Sequence, residues 1–262
     1  MKALTCSLLI SLFSLPVFTA SAQNEYLLME YIKMKPGITD TAAVMQYIRG
    51  RIEMQEQKFN SVLWSCVWQA VNPARNKNQY DYITTTVFKN FNDWLAEYKN
   101  SDSKGIFYSI TKGRMDSTSI HKSDSFDIIY TPIAELYAET GDFKKQPQLL
   151  LAKYIKATPG KERSYESLEM TDWLPIHQDL IKKNFEAGYN FSKLIFPEAG
   201  EEYNYTTFTF FAGEAMFDKQ ADIDYDPYMR TNQSAFINAG ALQKEVFSEL
   251  FKLVAVVKNN EE

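Results

Sequence analysis

The chain has 262 residues, of which 45% are apolar, 23% charged and 15% aromatic, and its formal net charge is −5. This composition excludes a disordered chain, and two cysteines are too few for a disulfide-rich scaffold. Because 33 acidic residues outnumber 28 basic ones, we expect no nucleic-acid partner.

The first 22 residues have the pattern of an export signal. Met1 and Lys2 form a short basic start, residues 3–18 are mainly apolar, and 20–22 read Ala-Ser-Ala, a small-x-small cleavage site. The apolar stretch is short for a membrane span, and no second apolar run of that length follows. We therefore predict a signal peptide over 1–22, a periplasmic or secreted protein starting at Gln23, and no membrane association after cleavage.

The first half of the mature chain has a readable order of elements. Residues 25–34 alternate as a strand does, and a helix with an apolar stripe follows the Pro-Gly turn at 36–37. Strands are predicted over 61–70 and 79–88, a helical region begins near Asn92, and a last strand covers 133–140. This order, β-α-β-β-α-β, is that of the ferredoxin-like unit.

The second half repeats the first at an offset of 123 residues. Residues 31–37 read Tyr-Ile-Lys-Met-Lys-Pro-Gly and 154–160 read Tyr-Ile-Lys-Ala-Thr-Pro-Gly, and alternate positions of 80–86 and 203–209 both read Tyr, Tyr, Thr, Thr. Strands are predicted over 148–157, 190–197, 203–211 and 249–257. Pro175 must kink the first helix, predicted over 164–187, or start a new helix after Asp172. We predict two modules, 23–145 and 146–262, joined by a polar Gly- and Pro-containing segment.

The strands are apolar on both faces. Trp64, Cys66 and Trp68 alternate with Leu63 and Val67, so a single helix layer would leave apolar surface exposed. The predicted fold is therefore α+β: two tandem ferredoxin-like modules whose antiparallel sheets pack into an intramolecular α+β barrel.

This element order, the repeated motif and the helix carrying Trp173 and His177 resemble the dimeric α+β-barrel superfamily. That group includes antibiotic-biosynthesis-type monooxygenases, EthD-like and NIPSNAP-like proteins, and tandem forms such as the chlorite-dismutase-like and dye-decolourising peroxidases. The resemblance covers essentially the whole mature chain and implies two sheets packed face to face with helices outside. None of these features is a catalytic signature, so no specific family is assigned and function must come from the site.

His177 is the candidate catalytic residue. It shares a helix ridge with Glu169 and Trp173 at four-residue spacing. It can act as a general base, and the resemblance to tandem haem proteins implies a second role as a haem ligand. The alternative is a histidine that packs at a helix–sheet boundary. The other histidine, His121, lies in a polar segment, so we predict no metal site.

Two further patterns suggest a ligand-binding site. Glu30 and Lys153 occupy equivalent positions on the first strand of each module, where they could present charge inside the barrel or form a structural pair. Alternating aromatic residues suggest a cavity for a flat or apolar ligand, or alternatively an ordinary core rich in Tyr and Phe. The candidate ligand-binding residues are Glu30, Lys153, Trp64, Trp68, Tyr82, Trp173 and Tyr205.

Three functions remain open at this point. The first is an exported protein that binds a small, partly apolar molecule in the barrel or under the helices. The second is an oxidoreductase, either haem-dependent or a cofactor-free oxygenase type, that uses His177. The third is a structural or interaction protein whose barrel is filled by side chains. The sequence identifies neither the cofactor nor the oligomeric state.

Overall fold

The computed structural model describes residues 25–39, 41–59, 62–72, 80–92, 121–122, 124–141, 146–196 and 202–258. The predicted signal peptide and residues 142–145, the middle of the predicted join between modules, lie outside the described residues. Cleavage, export and the module boundaries therefore stay predictions.

The described elements follow the predicted order, with additions. The helical region predicted from Asn92 onward lies almost entirely outside the described residues and stays a prediction. The first half contains β1 (Glu25–Met34), α1 (Ala42–Phe59), β2 (Val62–Ala70), β3 (Tyr82–Phe88), β4 (His121–Lys122), β5 (Phe126–Tyr130) and β6 (Ile133–Gly141). The second half contains β7 (Leu149–Ala157), α2 (Glu162–Leu168), a π-helical segment (Glu169–Trp173), α3 (Leu174–Lys182), β8 (Gly188–Phe196), β9 (Tyr205–Phe211), α4 (Glu214–Asp218), a 3-10 turn (Lys219–Asp222), α5 (Asp226–Thr231), α6 (Gln233–Leu242) and β10 (Gln243–Lys258).

The strands form an antiparallel sheet that closes on itself. Its order is β3-β2-β10-β7-β9-β8-β6-β1-β5-β4, and β3 also pairs with β1. The first-half strands thus run β6-β1-β3-β2, the second-half strands run β10-β7-β9-β8, and β2–β10 and β8–β6 pairings join the two sets. This arrangement confirms the predicted fold class, an α+β barrel of ferredoxin-like sheets.

Long strands make the junctions between the sheets. β10 pairs with β7 along residues 243–252 and with β2 along residues 251–258. It starts six residues earlier than predicted because it follows α6 directly. In the first half the equivalent strand is divided at Thr131 and Pro132 into β5 and β6, both of which pair with β1. Proline cannot donate a ladder hydrogen bond, which explains a break at this position.

The barrel interior is packed with side chains from both sheets. Tyr31 and Tyr154, the first residues of the two repeated motifs, meet there, and the Tyr31 hydroxyl donates to the Tyr154 hydroxyl at 3.0 Å. Burial raises the pKa of both phenols. Interior side chains with 2% exposure or less are Leu27, Met29, Tyr31, Trp68, Tyr80, Ile83, Val87, Ala134, Leu150, Ala152, Tyr154, Phe208, Phe210 and Phe251.

Helices cover the outer faces of the sheets. In the first half Val44, Ile48 and Ile52 of α1 pack on the outward side chains of β1, β2 and β3. In the second half α2, the π-helical segment, α3 and α6 pack on β7, β8 and β9. Within the described ranges, none of the helices has both the length and the apolar character needed to cross a membrane.

Candidate functional site

Glu30 lies beneath α1 and is fully paired. Its side chain is 1% exposed, and its Oε2 lies 2.7 Å from Nη1 of Arg51 on α1. The Tyr47 hydroxyl donates to Oε1 at 3.1 Å and the Thr84 hydroxyl to Oε2 at 2.8 Å. Arg51 also donates to Thr86 Oγ1 at 2.9 Å, so the polar groups fill the space between helix and sheet.

The same strand positions in the second half line a cavity instead. Across β1 and β3, Glu30 pairs with Thr84; across β7 and β9, Lys153 pairs with Thr207 in the same register. Lys153, Thr207 and Thr209 line an opening of about 320 Å³ between this sheet and its helices. We call this opening the helix pocket; its sheet side consists of Leu151, Lys153, Ile155, Tyr189, Thr207, Thr209, Gln243 and Glu245.

A π-helical turn and a proline shape the helix side of the pocket. The Leu174 N–H donates to the carbonyl of Glu169, five residues earlier, and Pro175 lies in the first turn of α3. Proline has no N–H for an α-helical hydrogen bond. The π-helical turn, which has one residue more than an α-helical turn, lets the helix continue to Pro175. The break predicted near Asp172–Pro175 is confirmed. The three residues of the predicted ridge, Glu169, Trp173 and His177, all line the pocket.

His177 is held by a buried carboxylate. Its Nδ1 lies 2.8 Å from Oε2 of Glu186, whose side chain is 2% exposed, and the Tyr189 ring stacks on the imidazole at 3.7 Å. Because a carboxylate accepts, this bond places the proton of a neutral imidazole on Nδ1 and leaves Nε2 with its lone pair. The chain reaches Glu186 by ending α3 at Lys182 and turning at Asn184, which has a left-handed φ of 61°.

Glu169 is a second buried carboxyl in the pocket. Its two oxygens accept hydrogen bonds from the Tyr165 hydroxyl at 2.6 Å and the Tyr189 hydroxyl at 2.8 Å. Desolvation raises the pKa of Glu169, although both phenols and the charges of His177 and Lys153 oppose that shift. Tyr189 therefore joins the two groups, since its ring contacts His177 and its hydroxyl contacts Glu169.

Residues 214–242 form the outer wall of the pocket. The wall lines the pocket with Gln220, Tyr225 and Phe236, and the Phe236 ring lies 4.9 Å from that of Trp173. The Tyr228 hydroxyl contacts Asp179 and Lys183 on α3 at the surface. Neither α4, the 3-10 turn nor α5 has a buried residue, so these parts of the wall lie at the surface, whereas α6 packs on the sheet through Ala239 and Leu242.

Only some of the predicted site residues meet in the pocket. His177, Lys153 and Trp173 line it together. Glu30 and Lys153 do not face each other inside the barrel as considered above, because both point outward, each beneath the helices of its own half. The alternation of strand side chains decides this, and the sequence left the choice of face open.

The predicted aromatic residues do not line one cavity. Trp64 and Trp68 pack into the barrel interior, where Trp68 Nε1 donates to Thr85 at 2.9 Å. Tyr82 lies under α1, and Tyr205 lies under α2, where it donates to Glu166 at 2.7 Å. These side chains lie on two opposite faces of the sheet and in three apolar clusters, so they do not line one cavity. Of the two interpretations offered from the sequence, an ordinary core describes them.

Sequence reasoning missed Arg51 and Glu186. Arg51 follows the buried Ile48 by three residues on α1, so a basic residue on an apolar stripe could have been matched to Glu30. Glu186 has no such signal, because it follows the end of α3 and only the turn brings it back to His177.

No site for a metal ion is evident in the part of the chain that the structure describes. There, His, Cys, Asp and Glu side chains do not gather in groups of three or more with suitable geometry. 

Comparisons with known proteins address the fold. No family model matches the chain, and no curated protein matches its sequence. An anthrone oxidase-like protein of known crystal structure is 8% identical, with a TM-score of 0.59, and the alignment covers 92% of this chain and 95% of that one. A proposed monooxygenase from Lactobacillus acidophilus NCFM is 9% identical, with a TM-score of 0.51 and coverage of 90% and 95%.

These alignments show that the chain shares its α+β-barrel fold with these structures. This confirms the resemblance stated from the sequence, and at these identities the likeness concerns the fold alone. A mutant chlorite dismutase from Candidatus Nitrospira defluvii, in complex with cyanide, is 8% identical over 90% of this chain and 92% of that one, with a TM-score of only 0.49.

The residues of the pocket provide their own test for haem. His177, with Nδ1 on a carboxylate, has the arrangement of an axial haem ligand. Haem also brings two propionate carboxylates, yet the pocket already contains Glu169, Glu186 and Glu245. Its single lysine, Lys153, lies 3.5 Å from Glu245. The histidine fits haem, but the charges of the lining do not.

Proposed function

We propose that the protein binds a small, partly apolar organic molecule in the helix pocket. One observation carries this proposal: the Arg51–Glu30 pair fills the space between helix and sheet in the first half, whereas in the second half Lys153, Thr207 and Thr209 line an open pocket there. The volume of about 320 Å³ is at the lower end of the roughly 300–1,000 Å³ usual for small-molecule sites. Trp173 and Phe236 offer apolar contact, while threonine hydroxyls and His177 offer hydrogen bonds.

The His177–Glu186 pair supports a second candidate function, a cofactor-free oxidoreductase. With its proton on Nδ1, His177 can take a proton from a bound ligand at Nε2, and Glu186 then stabilises the imidazolium. Tyr189 stacked against the ring would hold its orientation during this transfer. The pair distinguishes this pocket from a purely structural cavity, because a buried carboxylate oriented on a histidine is a typical general-base arrangement.

A thermal-shift screen of small organic molecules tests binding. A ligand at 100 times its Kd should add about 2.7 kcal/mol to the free energy of unfolding. At roughly 2–4 °C per kcal/mol for a chain of this size, the melting temperature should rise by roughly 5–10 °C. Thr207→Phe, which fills the pocket, should abolish the rise.

The matched control for that screen is Thr171→Phe. Thr171 is exposed on the π-helical segment, so the same replacement there leaves the pocket open. Retention of binding by Thr207→Phe would refute the assignment of the pocket. Each hit is then incubated with wild type and His177→Gln in air, and loss of the hit is followed by mass spectrometry. Turnover by wild type alone supports the oxidoreductase; turnover by neither supports a binding protein.

We also propose that the protein is exported. The basic, apolar and small-residue pattern of 1–22 supports this. Expression of the full chain in a bacterium, followed by fractionation and N-terminal sequencing, should give a periplasmic or secreted protein that begins at Gln23. An intact start at Met1 in the cytoplasm would contradict it.

A further inference from the structure

The helix pocket has more carboxylates than cations. Glu169, Glu186 and Glu245 line it, and Lys153 is its single basic side chain. Lys153 and Glu245 lie 3.5 Å apart near the rim, where their side chains are 42% and 43% exposed. Glu169 and Glu186 lie deeper, and their described partners are phenol hydroxyls and the His177 imidazole rather than lysine or arginine. With a neutral imidazole the lining is therefore acidic.

The first half shows which group this kind of space accepts. There the guanidinium of Arg51 enters beneath α1, and it contacts the Glu30 carboxylate and the Thr86 hydroxyl. In the second half Thr209, which pairs with Leu151 as Thr86 pairs with Leu28, lines the pocket. Among the lining residues, the helices of this half contribute no cationic side chain. In the second half Lys153 takes the strand position of Glu30, and the acids lie on the π-helical segment, Glu169, in the turn after α3, Glu186, and on β10, Glu245. No arginine or lysine from the described helices enters the pocket beside Thr209.

Aromatic rings complete a lining that suits an organic cation. Trp173, Tyr189, Tyr225 and Phe236 all border the pocket. Ring faces attract ammonium groups, most strongly where water is excluded, and they also contact the apolar part of the same molecule. A carboxylate-bearing ligand gains from neither the rings nor Glu169 and Glu186.

We propose that the ligand of the helix pocket is an organic cation, an amine or quaternary ammonium attached to a small apolar body. This inference rests on the proposed function, since it names the class of molecule that the same pocket binds. The cation lies between the deep carboxylates and the aromatic rings, in the place that Arg51 takes in the first half.

Matched ligands test the charge directly. Titration calorimetry at pH 7.5 would compare an amine, an alcohol and a carboxylate on each of three rings: benzylamine, benzyl alcohol and benzoate; tryptamine, tryptophol and indole-3-acetate; cyclohexylmethylamine, cyclohexylmethanol and cyclohexanecarboxylate. The amine of the best-binding ring should bind at least tenfold more tightly than its alcohol, which corresponds to about 1.4 kcal/mol, and the carboxylate should bind most weakly.

A charge variant with a matched control separates local from general effects. Glu245→Gln removes one rim carboxylate and should reduce the preference for amine over alcohol at least threefold. Glu214→Gln, outside the pocket at the start of α4, makes the same change in net charge and should leave the preference unaltered. An alcohol or carboxylate that binds as tightly as its amine overturns the cation while leaving pocket binding intact. Absence of binding by all nine compounds overturns both proposals.

Discussion

Replacing Arg51 by Met should destabilise the protein strongly, because it leaves a buried carboxylate without its cation. Glu30 is 1% exposed, and Arg51 lies 2.7 Å from it and also donates to Thr86. Met keeps most of the volume of the arginine stem but supplies no donor. The Tyr47 and Thr84 hydroxyls still donate to Glu30, so the carboxylate keeps hydrogen bonds while losing its counter-charge.

The expected cost is about 3–5 kcal/mol, the range for removing one partner of a buried ion pair. A double variant, Glu30→Leu with Arg51→Met, should recover at least about 2 kcal/mol of this loss, because an apolar pair of similar volume often replaces a buried ion pair at little cost. The Thr86 hydroxyl keeps Ser65 as a partner at 3.0 Å in both variants.

Urea unfolding followed by tryptophan fluorescence measures both variants. The free energy of unfolding is compared at constant m-value, so that a change in the unfolded state is not mistaken for lost stability. Since the pair lies in the first half, ligand affinity of the helix pocket should be unchanged in the folded variant. A loss below about 1 kcal/mol for Arg51→Met, or additive losses in the double variant, would refute this explanation of the filled first half.

Three further predictions concern other buried or surface groups. Burial raises the pKa of Glu249 to about 7, so near neutral pH the folded chain holds a proton that the unfolded chain has lost. The free energy of unfolding should therefore fall as pH rises from about 4.5 to 7. Because Glu249 is only partly buried, Glu249→Gln should remove about 1–2 kcal/mol of this pH dependence in thermal melts. Tyr228→Phe removes the hydroxyl that joins α5 to Asp179 and Lys183, so stopped-flow measurements should show several-fold faster ligand dissociation with folding intact. Burial raises the pKa of the Cys66 thiol to about 12, so an aromatic disulfide reagent at pH 8 should react with it only after unfolding.

Much of the architecture was predictable because it depends on local pattern and repetition. The 123-residue offset aligned the strands of the two halves, and β1 with β3 and β7 with β9 indeed share one register. Pro175 marked the break in the helix, and the four-residue spacing of Glu169, Trp173 and His177 placed them together on the pocket. Backbone chemistry and helix periodicity are sufficient for these conclusions.

The site itself depended on information that is not local. Both faces of β2 are apolar, so the sequence could not decide which face closes the barrel. For the same reason it left open whether Trp68 and Tyr82 line a cavity or belong to the core, and they lie in two different apolar clusters. Lys153 and Glu30 looked equivalent, yet Arg51 closes one space while the other remains open. Glu186 reaches His177 only through the turn at Asn184, a tertiary contact that spacing does not indicate.

The location of the bound ligand is the most direct test of the account. The chain has four tryptophans, which can be labelled with 5-fluorotryptophan and assigned in ¹⁹F NMR spectra by single replacements with Phe. Trp173 lines the helix pocket and Trp68 is buried in the barrel interior. Addition of a ligand found in the screen should shift the Trp173 resonance and leave that of Trp68 in place. A shift of Trp68 with no change at Trp173 would put the ligand inside the barrel and contradict the central claim.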